Sequence, residues 1–330
     1  MRNARRSFLH WTLAATVAGT GTFGASLAHA QADYPAAGKT IRLIVPYPAG
    51  GGTDIIARSL GAELGQNLNA TVIVENKPGA SGMLGNTLVA KSPADGYTIL
   101  LGITALIQAP AVYPKVTYQV SDFAPVSLIA RSMDVFMVPR SSGITSLKDF
   151  IAKAKADKGM SFASYGNATS SHFNGEQFKR QAGVDLVHAP YAGSGPEMAA
   201  VLGAQVSSAF VDATAMSPHL KSDKLNFLAV TGTRRHPSLP NVPTFGELGF
   251  KGLEANGWFA MFVPAKTPQP IVDKLSAEVQ KIVKTPAMTK RLADMGLMPA
   301  GSTAKEMAEV IQKDTPHWAG IAKTANIQID

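Results

Sequence analysis

Short apolar runs alternate with amphipathic stretches along most of this chain. IRLIVPY (41–47) leads into TDIIARSLGAELGQNL, with apolar residues at 55, 56, 60 and 64, then come TVIVENK (71–77), SGMLGNTLVAKS and YTILLG (97–102). Buried strands separated by amphipathic helices join by right-handed crossovers into a parallel sheet, so the pattern predicts an α/β fold. The rhythm returns in KGMSFASY, a helix over about 170–181, VDLVHAPY, a helix over about 195–203, SSAFVDA, a helix near 217–221, and LNFLAVTG.

Between these two units, FAPVSLIA (123–130) and DVFMVP (134–139) have no helix between them, and WFAMFVP (258–264) follows the second unit. The simplest topology is two α/β lobes, the second inserted into the first, with the chain crossing between them at least twice. The expected division gives residues 31–133 and 228–330 to the first lobe and 134–227 to the second. Helices near 268–284, 286–295 and 303–323 would complete the first lobe. No fixed-period repeat or low-complexity tract interrupts the pattern.

A chain of 330 residues with 45% hydrophobic content is long enough for two cores. Residues 1–30 stand apart: MRNARR, then WTLAATVAGTGTFGASLA, then AHA before Gln31. That is the charged, apolar and small-x-small sequence of an export signal, with cleavage expected near Ala30. ARRSFLH (4–10) resembles the twin-arginine motif, with the general secretory route as the alternative. No later run approaches ~18 uninterrupted apolar residues, so the mature chain is expected to be soluble and periplasmic. The sequence has no cysteine, which excludes disulfides, thiolate metal sites, a cysteine nucleophile and a lipoprotein anchor. Loss of Arg2, Arg5 and Arg6 with the signal leaves 28 basic residues against 23 acidic ones, a net +5. These charges are scattered along the chain and give no nucleic-acid footprint.

Several motifs exclude themselves. Gly19-Thr-Gly21-Thr-Phe-Gly24 fits a dinucleotide fingerprint but lies in the signal with no strand before it. AGGGTD (49–54) lacks the lysine of a phosphate loop, Ser81 and Ser194 fail the G-x-S-x-G pattern, and HExxH is missing. No cofactor or metal is expected.

VPYPAGGGTD nonetheless ends a strand on three glycines before a helix. Tyr47, Ala49, Gly51, Gly52, Thr53 and Asp54 are the candidates here. Bare backbone at a helix N-terminus lets an anion approach free amides, the alternative being a tight turn with Thr53 or Asp54 as a cap. A second strand-to-helix loop, SFASYGNATSSH (161–172), supplies Ser164, Gly166, Asn167, Thr169, Ser170 and Ser171, with His172 either touching ligand or serving structure. A third turn, PYAGSGPEM (190–198), offers Ser194, and Asp212 either orients a ligand amine or hydroxyl or caps a helix. Open α/β sheets bind ligands at the carboxyl ends of their strands, so the three turns are expected to form one clamp. A helix N-terminus gives up to ~2 kcal/mol and charge-assisted hydrogen bonds roughly 1.5 to 3 each. Backbone capture therefore approaches the ~8 kcal/mol of micromolar binding without an arginine.

In order and spacing, VPYPAGGGTDIIAR, VENKPGASGMLG, ADGYTILLG, SYGNATSSH, VHAPYAGSGPEM, VLGAQV, LAVTGTRRHPSLPNVPTFGELGF and WFAMFVPAKTP resemble the Bug-type, TctC-like extracytoplasmic receptors of tripartite tricarboxylate transporters. The likeness runs from about residue 34 to the C-terminus. It implies a Venus flytrap of the type II kind whose two α/β lobes close over a small carboxylate, monomeric and delivering it to inner-membrane transporter subunits. It further implies that Tyr47–Asp54 and Ser164–His172 grip one carboxylate through amides and hydroxyls, and that Thr104, Ser194 and Asp212 read the rest of the ligand. The chain departs from the pattern at Ala168, where another glycine is usual, and at Ala192, where lysine is usual. ITALIQAP (103–110) lacks the expected His and Asn, which leaves room beside Ala105, Leu106 and Ile107 for a ligand with an apolar or aromatic body.

The function expected is capture of a di-, tri- or aromatic carboxylate, with no reaction. The rivals are a secreted hydrolase or isomerase using His172 with Ser164 or Ser171, and a receptor that feeds a signalling partner.

Overall fold

The alternating pattern folds into two separate sheets in a computed structural model that describes residues 34–254 and 257–329. The expected export signal lies outside these residues. From Pro35 on, the chain forms one compact unit that carries both sheets.

The chain enters through β1 (Thr40–Val45), α1 (Gly52–Leu68), β2 (Thr71–Asn76), α2 (Met83–Ala90), β3 (Thr98–Ile103), α3 (Ala105–Gln108) and β4 (Phe123–Ser132). It then builds β5 (Asp134–Pro139), α4 (Leu147–Ala156), β6 (Ser161–Ser164), α5 (Ser170–Ala182), β7 (Val187–Pro190), α6 (Ser194–Leu202), β8 (Ser208–Asp212), α7 (Ala213–Met216) and β9 (Leu225–Val230). It finishes with β10 (Gly257–Pro264), α8 (Gln269–Val283), α9 (Pro286–Asp294), β11 (Met298–Pro299) and α10 (Ala304–Thr324).

The first sheet has the order β11-β4-β10-β3-β1-β2 and the second β7-β6-β8-β5-β9. In the first, β1 pairs in parallel with β2 and β3, while β10 runs antiparallel between β3 and β4. In the second, β6 is parallel to β7 and β8, and β5 is antiparallel to β8 and β9. Strands covered on both faces read as continuous apolar runs. Accordingly, all six residues of β5 are buried, whereas the edge strand β2 leaves Ile73 48% exposed.

The chain passes from β4 to β5 through Met133 alone, which is why no helix separates these two strands in sequence. The return passage lies beside the outward one, since Gly257 at the start of β10 pairs with Ser132 at the end of β4. The expected return to the first lobe at residue 228 is corrected by sheet and core membership. β9 stays in the second sheet to Val230, which bridges to Thr244. Phe245 and Leu253 then pack with Phe136, Phe178 and Phe210 in the second lobe. Residues 231–254 are turn-rich and carry no period, so nothing in their sequence assigns them to a sheet.

Aromatic rings dominate the second core. Phe136 lies 4.7 Å from Phe210 and 4.9 Å from Phe150, centroid to centroid. The lobes also share a contact away from the sheets, where Phe173 of α5 meets Trp318 of α10 edge to face at 5.5 Å. Phe136 is fully buried at the centre of its cluster. Phe136→Ala is therefore expected to cost about 3 to 5 kcal/mol in urea unfolding. A loss below about 1 kcal/mol would show that this cluster does not carry the second lobe.

Candidate functional site

A cavity of about 460 Å³ opens between the lobes, within the size range of small-molecule sites. The first lobe lines it with the turn from Tyr47 to Thr53, with Ile103 and Thr104, and with the start of β10. The second contributes Tyr165, Ser170, the turn around Gly193 and Ser194, Asp212 and Thr214.

The first-lobe turn is shaped by Asp54. Gly51 caps α1 without any side-chain hydrogen bond, and the first bond at the helix start runs from Ile55 N to Gly51 O at 3.0 Å. The amides of Gly52 and Thr53 precede that bond, so the helix gives them no acceptor. Asp54 is buried and is not in the cavity wall. Its carboxylate accepts from Gly50 N at 2.9 Å, from Asn76 Nδ2 at 3.0 Å and from Arg58 Nε at 3.0 Å. Asn76 also donates to Tyr47 O at 3.0 Å. Burial alone would raise the pKa of Asp54, but the donors from Arg58, Gly50 and Asn76 prevail and hold it below the usual range. Asp54 thus pins the turn from behind, while Tyr47, Ala49, Gly51, Gly52 and Thr53 face the cavity.

The second-lobe loop differs from expectation. Ser164, Gly166, Asn167, Thr169 and His172 do not line the cavity; Ser170, one of the expected donors, does, together with Tyr165. Ser164 is fully buried, with Oγ 2.7 Å from His188 Nε2 and donating to Gly166 O at 3.2 Å. Thr169 donates to Gly166 O at 2.6 Å. His172 accepts from Ala168 N at 3.2 Å and stacks on His188 with centroids 4.0 Å apart. The hydroxyls read as ligand donors therefore fasten the loop internally. Burial takes His172 down to about 3 and His188 to about 4, so both rings are neutral at pH 7. His172 does not meet Ser164, and Ser171 Oγ accepts from Tyr165 N at 3.1 Å. Ala168 stands in the left-handed region at φ 54°, which explains why glycine suits that position.

Asp212 serves as the helix cap that one of its two readings expected. It caps α7, accepting from Thr214 N at 2.8 Å, and it lines the cavity. It also accepts from Thr214 Oγ1 and Ser194 Oγ. Thr104 lines the cavity as well, its hydroxyl accepting from Trp258 N at 2.7 Å and so tying β3 to β10. Leu106 and Ile107 belong to the first-lobe core instead. The apolar part of the wall comes from Ile103, Pro196, Trp258 and Phe259. Trp258 and Phe259 escaped the sequence reading because they look like ordinary buried strand residues.

Charge is sparse here. Among the described residues that line the cavity there is no Lys, Arg or His, and Asp212 is the one carboxylate. Behind the wall, Tyr165 OH donates to Asp134 at 3.3 Å and Asn174 donates to it at 2.8 Å. Burial pushes Asp134 up to about 8 and Glu197 well above its usual range. Both oxygens of Glu197 are buried without a hydrogen-bond partner among the described residues.

Gly52 touches the opposite lobe. A Cβ built on it would lie 2.9 Å from Thr214 Cβ and 3.0 Å from Thr214 Cγ2. Gly52→Val is expected to keep the fold, by circular dichroism, while holding the lobes apart and raising the radius of gyration in X-ray scattering; an unchanged radius would refute this contact. A second expectation concerns pH. The native state keeps His172 neutral to about 3, against 6.5 for the free side chain. Protons below pH 6.5 then bind the unfolded chain preferentially, and stability falls on acidification. His172→Gln should flatten that decline relative to the unmodified protein between pH 6.5 and 4, measured by urea unfolding, and parallel curves would contradict it.

Comparison with known proteins agrees with this architecture. Residues 56–327 match the family described as TctC, tripartite tricarboxylate transporter family receptor. Protein BugT of Bordetella pertussis is 32% identical over 300 residues, covering 90% of this chain and 91% of BugT. The structure of R. palustris Rpa4515 with adipate superposes with a TM-score of 0.85 at 31% identity, covering 90% of this chain and 99% of that one. MatC from Rhodopseudomonas palustris with bound malate gives 0.80 at 28% identity, covering 86% and 98%. With the two-lobe fold of solved periplasmic binding proteins, the chain belongs to the family of tripartite tricarboxylate transporter receptors.

Proposed function

We propose that this chain is an extracytoplasmic solute receptor that captures a small organic carboxylate between its lobes and presents it to inner-membrane transporter subunits. One observation carries the reading: Gly52 and Thr53, at the uncapped N-terminus of a 17-residue helix, line a cavity whose described lining residues include no cationic side chain. Aligned amides and the positive end of a helix dipole favour an anion, and glycine lets it reach the backbone. The relatives solved with adipate and malate support the same ligand class.

Capture works through closure. A carboxylate seated on the α1 turn adds contacts to both lobes in the closed form, and that form gains population by as much as the ligand prefers it. The single-residue passage at Met133 and the adjacent Ser132–Gly257 pair form a narrow pivot suited to that motion. No bond is made or broken in this mechanism. The receptor would act as a monomer in the periplasm after removal of residues 1–30. No described helix is long and apolar enough to cross a membrane.

The test is a thermal-shift screen of residues 31–330 against mono-, di- and tricarboxylates, aromatic acids and amino acids, since a ligand of the native state raises its stability by mass action. One class should give a saturable rise that Gly52→Val abolishes. No rise with any acid, together with no small acid released on denaturation by mass spectrometry, would overturn the reading.

A further inference from the structure

Three acids gather at the second-lobe wall. Asp134 at the start of β5 and Asp212 at the end of β8 are register partners across the antiparallel ladder, and both are buried. Glu197 on α6 is fully buried, with no hydrogen-bond partner for either oxygen among the described residues. An ionised carboxylate without a donor is costly in such a place, so Glu197 keeps its proton. Asp212 is better served, because it accepts from Thr214 N, Thr214 Oγ1 and Ser194 Oγ. The carboxyl of Asp134 has two side-chain partners, Asn174 Nδ2 at 2.8 Å and Tyr165 OH at 3.3 Å.

Asp134 is held in this cluster by its backbone. Its amide donates to Thr231 Oγ1 and its carbonyl accepts from Thr231 N, both at 2.9 Å. The described groups that act on its carboxyl or feel its charge are Tyr165 from the loop after β6, Asn174 from α5, Asp212 from β8 and Glu197 from α6, and none is a cation. Burial, with the charge of Asp212 beside it, therefore raises Asp134 to about 8.

Tyr165 stands between Asp134 and the cleft, since it bonds to the acid and also lines the cavity. An anion in the cavity adds another negative charge near Asp134 and favours its neutral form still more, so anion and proton bind together. Hydroxyl direction works the same way. An ionised Asp134 can only accept, and it holds the phenol proton of Tyr165. A protonated Asp134 can donate to the phenol oxygen instead, which frees the phenol proton for a ligand. Ser170, also on this wall, accepts from Gln108 Nε2 at 3.1 Å and has its own proton to give, so the wall then carries two donors.

We propose that capture of a carboxylate in this cleft is coupled to a proton on Asp134, a positioning residue that acts through Tyr165: the protonated acid releases the phenol proton to the bound anion, and the ionised acid withdraws it. This rests on the carboxylate reading of the cleft and adds its control by pH.

The experiment is calorimetric titration of residues 31–330 at pH 7, 8.5 and 9.5. The probes are adipate, malate and benzoate, with any acid that mass spectrometry finds released from denatured protein. Simple carboxylic acids are ionised throughout this range, so their own protons do not enter. For a probe that binds, affinity should fall about tenfold or more from pH 7 to 9.5. At pH 8.5, buffers of different ionisation enthalpy should report uptake of roughly half a proton or more per carboxylate bound. Asp134→Asn keeps a donor toward Tyr165 at every pH, so its affinity should change by less than about twofold over the range, with no proton uptake. Tyr165→Phe should bind more weakly at pH 7 and show a smaller fall. Equal affinity at pH 7 and 9.5 in the unmodified protein, or a fall that either variant leaves unchanged, overturns this inference and leaves the carboxylate reading standing. No binding of any probe, with no acid released from denatured protein, overturns both.

Discussion

The carboxylate of Asp54, turned away from the cleft, fixes the backbone on which the site depends. It holds the Gly50 amide, Asn76 and Arg58 together, and Asn76 in turn holds the carbonyl of Tyr47. A buried carboxylate is tolerated when its oxygens are met by charged or amide donors, and here they are. With the turn fixed, Gly52 and Thr53 at the start of α1 line the cavity. A negative residue so near the proposed anion site is unfavourable in isolation, but its charge is matched by Arg58.

The second lobe solves a different problem. Its loop after β6 must bring Tyr165 and Ser170 to the wall while burying the residues between and behind them. Neutral, stacked histidines and internally bonded hydroxyls make that packing possible without a charge. The acids behind the wall keep their protons because burial disfavours the charged form, so the wall's electrostatics are set largely by Asp212. Gly52 and Thr214 meet across the cleft, which leaves no space for a side chain on the glycine.

Much of this was legible in the sequence because it follows from periodicity. Strands such as DVFMVP and helices such as that over 269–283 declare themselves by which residues must be buried, and the structure places them within a residue or two of expectation. The glycine turn was equally plain, since three consecutive glycines ahead of a helix leave bare backbone. Direction was not legible. Ser164 and Tyr165 are adjacent, yet one is fully buried against His188 and the other reaches the cavity, and composition alone does not say which. His172 turns back over Ala168, an arrangement set by the loop rather than by the residue's type. The assignment of 228–254 failed for want of period, and Phe245 and Leu253, its buried anchors, are isolated apolar residues in a run of turn formers.

The most direct test is a crystal structure of residues 31–330 with a bound carboxylate taken from the screen. The account predicts the ligand between the lobes, with carboxylate oxygens about 2.7 to 3.2 Å from the amide nitrogens of Gly52 or Thr53, directly or through one ordered water. A carboxylate held by lysine or arginine side chains outside this cleft, with the α1 turn untouched, would contradict it.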